Sequence, residues 1–265
     1  VKDCHKATGT LGSLFTASQS SQPVILTNDH VIGIPQTSNS NGAVPGQSIV
    51  EPGYYDFNSE AAHEVGQFLG APTLDSGVDA AIATLDTGQI NTTGQIYIAG
   101  IPANSIAQPM PKMLVAKMGS ASALTCGRIE TINDDFSSTD TNCNGGPINE
   151  NYTNQVQIFS TVPSYPFSLG GDSGSLILEQ TTGQPVALLF AGSWDTDMKQ
   201  KDSDGNPLTD VINAFSNIGV TLSVKGGNTH PITACPGKQG PIMSREEAEC
   251  ARLVKEKYKA QLFLD

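Results

Sequence analysis

The chain has 265 residues, 14 basic and 26 acidic side chains, a formal charge of −12 and 38% apolar positions. An acidic chain without a basic stripe is repelled by phosphate backbones and anionic lipid, which argues against nucleic acid and membrane surfaces as partners. Its longest apolar run, Val186–Ala191, is six residues, against the ~20 that a membrane helix needs; its 27 glycines and 16 prolines disfavour long helices and show no collagen period.

In chain order, Leu11–Thr16, Pro23–Thr27, Ser48–Glu51, His63–Phe68, Ala80–Leu85 and Gln95–Ala99 read as short strands. Met113–Lys117, Gln155–Thr161, Ser175–Leu178 and Val186–Ala191 follow. Most are bounded by Gly, Pro, Asn, Asp or Ser, the spacing of an all-β sandwich or a pair of barrels. Pro102, Pro109 and Pro111 mark Ala99–Lys112 as the linker, dividing the body into an N-terminal lobe over 1–105 and a C-terminal lobe over 106–222. Asp195–Asn206 ends in Asp202-Ser203-Asp204-Gly205-Asn206, similar to a fragment of a calcium loop. It lacks the full ligand run and the terminal Glu, so it reads as a solvated turn and no metal site is expected.

Helical signals come late. Thr209 and Asp210 are placed to cap Val211–Asn217. Residues 223–265 read as an appendage, with a flexible strap over Gly226–Gly240 and a helix from near Arg245. There Ser244-x-x-Glu247 forms a capping box and Ala251, Val254 and Tyr258 recur at helical spacing before Leu262. Residues 1–222 hold seven basic and 21 acidic side chains, whereas the appendage holds seven and five. Docking of this more basic tail on the acidic body is therefore expected.

Cys4, Cys126, Cys143, Cys235 and Cys250 are too far apart for a CxxC zinc site. Fifteen two-bridge pairings exist, of which Cys126–Cys143 and Cys235–Cys250 close the short loops and are preferred. Low Lys content, abundant Ser, Thr, Asn and Gly, and these cysteines fit a secreted or periplasmic protein. The absence of an initiator Met reads as a trimmed form.

The string Ser168-Leu169-Gly170-Gly171-Asp172-Ser173-Gly174-Ser175 surrounds one serine with three glycines, a turn in which N–H groups can converge near its Oγ. A serine hydroxyl needs a base beside it. Of the four histidines, His30 stands out because the β-rich Val24-Ile25-Leu26-Thr27 delivers it through a turn at Asn28-Asp29. A base needs a carboxylate behind it, and Asp79 heads the apolar Ala80-Ala81-Ile82-Ala83, where a buried acid is costly unless paired.

His30, Asp79 and Ser173, in that order, resemble the trypsin-like (chymotrypsin-fold) serine peptidases, and bacterial-type members most. The likeness is carried by Thr27-Asn28-Asp29-His30-Val31, Val78-Asp79-Ala80-Ala81 and Gly171-Asp172-Ser173-Gly174, and covers roughly residues 9–222. It implies two six-stranded antiparallel β-barrels with the active site in the cleft between them, plus the C-terminal helical tail. It further implies an endopeptidase acting on protein or peptide substrates through an acyl-enzyme, with no cofactor. Ser173 would be the nucleophile, His30 the base and Asp79 its partner, with the N–H groups of Gly171 and Ser173 as the oxyanion hole. The main chain of Phe190, Ala191 and Gly192 would pair with substrate. By counting, Phe167 falls at the floor of the specificity pocket, which implies a small apolar side chain rather than Arg or Lys. Val1 is not expected to be an activating terminus, and activity should fall as pH drops through about 6–7, where His30 is expected to titrate. A peptidase fold without turnover, used for binding, and a peptidase regulated or processed in cis through its tail are the alternative readings.

Overall fold

The computed structural model describes residues 8–33, 43–53, 63–88, 90–141, 147–162, 165–194 and 200–235. The expected C-terminal helix, Val1, and Cys4, Cys143 and Cys250 lie outside them. The architecture is all-β, with two six-stranded antiparallel sheets. The first contains β1 (Ser13–Ala17), β2 (Val24–Thr27), β3 (Ser48–Glu51), β4 (His63–Gly70), β5 (Ala81–Thr84) and β12 (Leu222–Val224), in the order β12-β1-β2-β5-β4-β3. The second contains β6 (Leu114–Gly119), β7 (Ala123–Thr141), β8 (Pro147–Ser160), β9 (Leu176–Glu179), β10 (Pro185–Trp194) and β11 (Gln200–Pro207), closed as β10-β11-β8-β7-β6-β9. Closure is complete in the second sheet; among the described residues the first is an open sheet with β12 and β3 at its edges.

β2 shows why the lobes form where they do. All four of its side chains are buried, because Val24 and Leu26 face the main core with Phe15 and Ile82 while Ile25 faces a second cluster with Leu14 and Ala83. A strand covered on both faces needs a continuous apolar run, and Val-Ile-Leu supplies it. The main core continues into the second lobe through Leu176 and Leu188 and under helix α2 (Leu208–Asn217) through Val211 and Phe215. Helix α2 starts earlier than expected, from Pro207, and Thr209 and Asp210 lie inside its first turn without capping it. Instead Thr209 accepts from Gln108, and Asp210 accepts from Asn154.

Several expectations are corrected. Gln95–Ala99 is a turn closed by the Ile96–Gly100 bridge. Asp202–Asn206 is not a solvated turn but the middle of β11, inside the barrel between β10 and β8. Ser203 pairs with Ser168 at 2.9 Å and Asp202 accepts from Gln157 at 2.7 Å, while among the described residues the buried Oδ1 of Asp204 has no hydrogen-bond partner. The segment after β12 is not slack as far as Cys235. Gly227 donates to Pro102, His230 to Thr182 and Ile232 to Gln180 through their backbones. Cys235 is bonded to Cys126 on β7, 109 residues away, rather than Cys126 to Cys143. The short-loop preference failed because β12 returns to the first sheet and the strap then recrosses to the second. Closing a loop of that length stabilises by about 4–5 kcal/mol on the chain-entropy account.

Candidate active site

β2 ends at Thr27, the chain stays extended through Asn28, and one helical turn, α1 (Asp29–Ile32), follows. The first N–H groups of such a turn have no partner within it. Here Asp79 supplies one: its Oδ1 accepts from the N–H of Asp29 at 2.6 Å and of His30 at 3.1 Å. Its other oxygen, Oδ2, hydrogen-bonds His30 Nδ1. Buried Asn28 fixes the same residue from behind, donating Nδ2 to the Asp79 carbonyl at 2.7 Å. The His30 side chain is 32% exposed and that of Asp79 6%, so the imidazole is partly open to solvent while the carboxylate stays buried. With Nδ1–H donating to a carboxylate, Nε2 is the acceptor.

Ser173 sits in a turn with positive φ at Gly171 (+99°) and Gly174 (+90°), conformations that a side chain would strain. The turn is pinned by its carbonyls. Gly171 accepts from Ser120 Oγ at 2.6 Å and Thr10 Oγ1 at 3.1 Å, and Ser173 from the Thr10 N–H at 2.8 Å. Among the described residues, none accepts from the N–H groups of Gly171 and Ser173. Two donors held in this way are what a developing oxyanion needs. The turn also abuts the strand end that delivers His30. A Cβ at Gly174 would come within 2.0 Å of Thr27 Oγ1, and one at Gly9 within 2.5 Å of Val31 Cγ2 and 2.9 Å of the Ser173 carbonyl. His30 and Asp79 are thus in direct contact, and the Ser173 turn is packed against their segment through Gly9–Gly12.

Beneath the turn lies a residue without a place among the sequence expectations, Lys117. Its ammonium donates to Asp172 Oδ2 at 2.7 Å and to Ser122 Oγ, and both charged side chains are fully buried. Asp172 further accepts from the N–H groups of Ala121 (2.9 Å), Ser122 (3.0 Å) and Leu169 (2.9 Å). Burial pulls the Lys117 ammonium below its ordinary range, and Asp172 opposes that pull. The signal was present: Leu114-Val115-Ala116-Lys117 is a cation in an apolar strand, and a buried cation requires a partner.

Phe167 packs its ring into the second barrel with Val115, Ile129 and Ile177; the next residue, Ser168, pairs with Ser203. On β10 the pairing with β9 stops at Leu188, whereas pairing with β11 continues to Trp194. Phe190, Ala191 and Gly192 therefore have a strand on one side and, among the described residues, none on the other. Such an edge accepts an extended peptide. Among the described residues no group of His, Cys, Asp and Glu side chains is arranged to hold a metal ion, and no helix is long and apolar enough to cross a membrane.

Asp29, beside this pair, is pushed up to about 7, by burial first and then by Asp79 and Glu150, with His30 opposing. The folded state keeps a proton that the unfolded chain releases near 3.8. The folded chain therefore binds more protons between about pH 4 and 7, and stability is lost as pH rises through that window. Asp29→Asn removes this contribution. Thermal unfolding of parent and variant should differ little at pH 4 and favour the variant increasingly up to pH 8; a difference constant with pH would contradict the assignment.

No protein-family model matches the chain, and no curated protein does. Solved structures give likenesses. The chymotrypsin of Cellulomonas bogoriensis aligns at 15% identity over 82% of this chain and 98% of that one, with a TM-score of 0.46. Thermobifida fusca protease A aligns at 17% over 82% and 99%, with a TM-score of 0.47. A glutamic acid specific serine protease aligns at 18% over 81% and 98%, with a TM-score of 0.49.

Proposed function

We propose that the protein is a trypsin-like serine endopeptidase, secreted or periplasmic, acting on protein or peptide substrates. The observation that carries this reading is the His30 Nδ1–Asp79 Oδ2 hydrogen bond, with Asp79 Oδ1 held by two backbone N–H groups of the histidine's own turn. Ser173 Oγ attacks the scissile carbonyl carbon while His30 Nε2 takes its proton, and Asp79 stabilises the imidazolium. The N–H groups of Gly171 and Ser173 bind the oxyanion. His30 returns the proton to the amine nitrogen as the C–N bond breaks, and water repeats the sequence on the acyl ester, releasing the acid and restoring the serine. Substrate lies along the open edge at Phe190–Gly192. Phe167, buried in the core of the second barrel, is taken as the floor of the specificity pocket, which favours a small apolar substrate side chain over Arg or Lys.

A fluorophosphonate tests this directly. At pH 8 the intact protein should lose fluoride from the probe and carry the phosphonyl group on the peptide containing Ser173, and Ser173→Ala should stay unlabelled. Absence of labelling in the parent, or labelling that persists in Ser173→Ala, overturns the reading in favour of a non-turnover binding protein on this fold.

A further inference from the structure

Asp79 has to be placed as well as present, and the grip on its backbone comes from the other lobe. The Asp79 N–H donates to Asn206 Oδ1 at 3.0 Å. Asn206 Nδ2 donates to Gln155 Oε1 at 2.6 Å, and Gln155 Nε2 donates to the carbonyl of Gly77 at 3.1 Å. The four groups close a circuit around Val78. Asn206 lies on β11 and Gln155 on β8, one step beyond the Gly205–Val156 pair of the barrel, and both side chains are entirely buried. The backbone fixes the sense of both amides. An N–H can only donate, so Asn206 must offer Oδ1 to Asp79; a carbonyl can only accept, so Gln155 must offer Nε2 to Gly77. The remaining ends of the two amides then match each other. From the first lobe, Asn28 holds the Asp79 carbonyl. The residue is thus fixed at its N–H by one lobe and at its carbonyl by the other.

We propose that Asn206 and Gln155 are positioning residues of the His30–Asp79 pair: a two-amide clamp from the second lobe that grips the Gly77–Asp79 backbone and sets where the carboxylate meets the imidazole. The inference rests on the serine-peptidase reading for its catalytic consequence. Neither amide touches substrate or a reacting atom. Their effect comes through Asp79, and a misplacement of about 1 Å at such a contact can cost ~10² in rate. The clamp also couples the lobes, because a displacement of β11 or β8 is transmitted to the acid behind the base.

Asn206→Leu keeps the approximate shape and removes the acceptor; Gln155→Met keeps Asn206 as acceptor and removes its support. In folded variants kcat should fall about 10- to 100-fold for Asn206→Leu, and less for Gln155→Met, with KM changed less than about 3-fold. The independent readout is proton NMR of His30, assigned by its loss in His30→Ala. Its ring should titrate at lower pH than in the parent, and its Nδ1–H resonance should weaken or move upfield, because a displaced carboxylate stabilises the imidazolium less. A variant that lowers only the melting temperature, with the His30 titration and Nδ1–H signal of the parent, overturns the clamp. If Asn206→Leu does not fold, Gln155→Met decides by the same signals. A parent without turnover or labelling defeats the peptidase reading, and the NMR comparison still decides the clamp.

Discussion

Asp79→Asn is expected to lower kcat/KM by about 10⁴, or about 5.5 kcal/mol, with little change in fold. The direction follows from which oxygen does what. Oδ1 accepts two backbone N–H groups, so an asparagine at this position must turn its carbonyl oxygen there; the reverse orientation would set NH₂ against two N–H donors. Its NH₂ then occupies the place of Oδ2 and donates to His30 Nδ1. That forces the imidazole into the tautomer with the proton on Nε2, the one that cannot take a proton from Ser173. The base remains in place and is chemically blocked. Steady-state kinetics on a peptide substrate at pH 8, beside an unchanged melting transition, give the measurement. An Asp79→Asn variant within tenfold of the parent would mean that the histidine is not the base, or that a second acceptor serves Nδ1.

The positions that bring His30 and Asp79 into contact and the glycine turn at Ser173 were legible in the sequence, whereas the amides of β8 and β11 that grip the Asp79 backbone were not. His30 and Asp79 stand at the ends of apolar runs, and the β-rich run Val24–Leu26 folds as a strand covered on both faces. Ser173 was marked by its glycines, two of which take the positive φ that a side chain would strain. β11 gave no signal, because its buried side chains include the polar Ser203, Asp204 and Asn206, with Ser203 paired to Ser168 before β9 and Asn206 held between Gln155 on β8 and the Asp79 N–H. Hydropathy cannot separate a paired buried amide from a solvated one. β7 and β8 run far past the barrel as a two-stranded ribbon, where Phe136 and Tyr152 pair across the strands, Phe136 stacking on the Phe190 ring and Tyr152 packing tilted against it. Outside that contact the ribbon reads Ser137-Ser138-Thr139-Asp140, without the alternation a half-buried strand shows. The disulfide failed for a topological reason: proximity of Cys126 and Cys235 exists only once the last strand has joined the first sheet.

Lys117→Met is expected to destabilise the fold by about 3–5 kcal/mol, because it leaves the Asp172 carboxylate buried without its cation. It should also lower kcat by a further ~10² or more in the molecules that remain folded. The second effect is the informative one. Asp172 ties Leu169 on one side of the turn to Ala121 and Ser122 beneath it, and the N–H groups of Gly171 and Ser173 flank it in sequence. Releasing the carboxylate releases the direction of both donors. Lys117→Arg should not rescue: the space beside the ammonium is so narrow that a Cβ at Gly119 would lie 2.9 Å from Nζ and 2.2 Å from Asp172 Oδ1, too close for a planar guanidinium. Nor should the double variant Lys117→Met/Asp172→Leu, although replacing a buried ion pair by apolar residues is often neutral. Here it would orphan three backbone N–H groups, at about 1–3 kcal/mol each. Chemical denaturation with activity assayed on the folded fraction separates the two effects. Parent-like kcat in Lys117→Met would show that the buried pair holds the fold alone, and parent-like stability in the double variant would show that the three N–H groups find other acceptors.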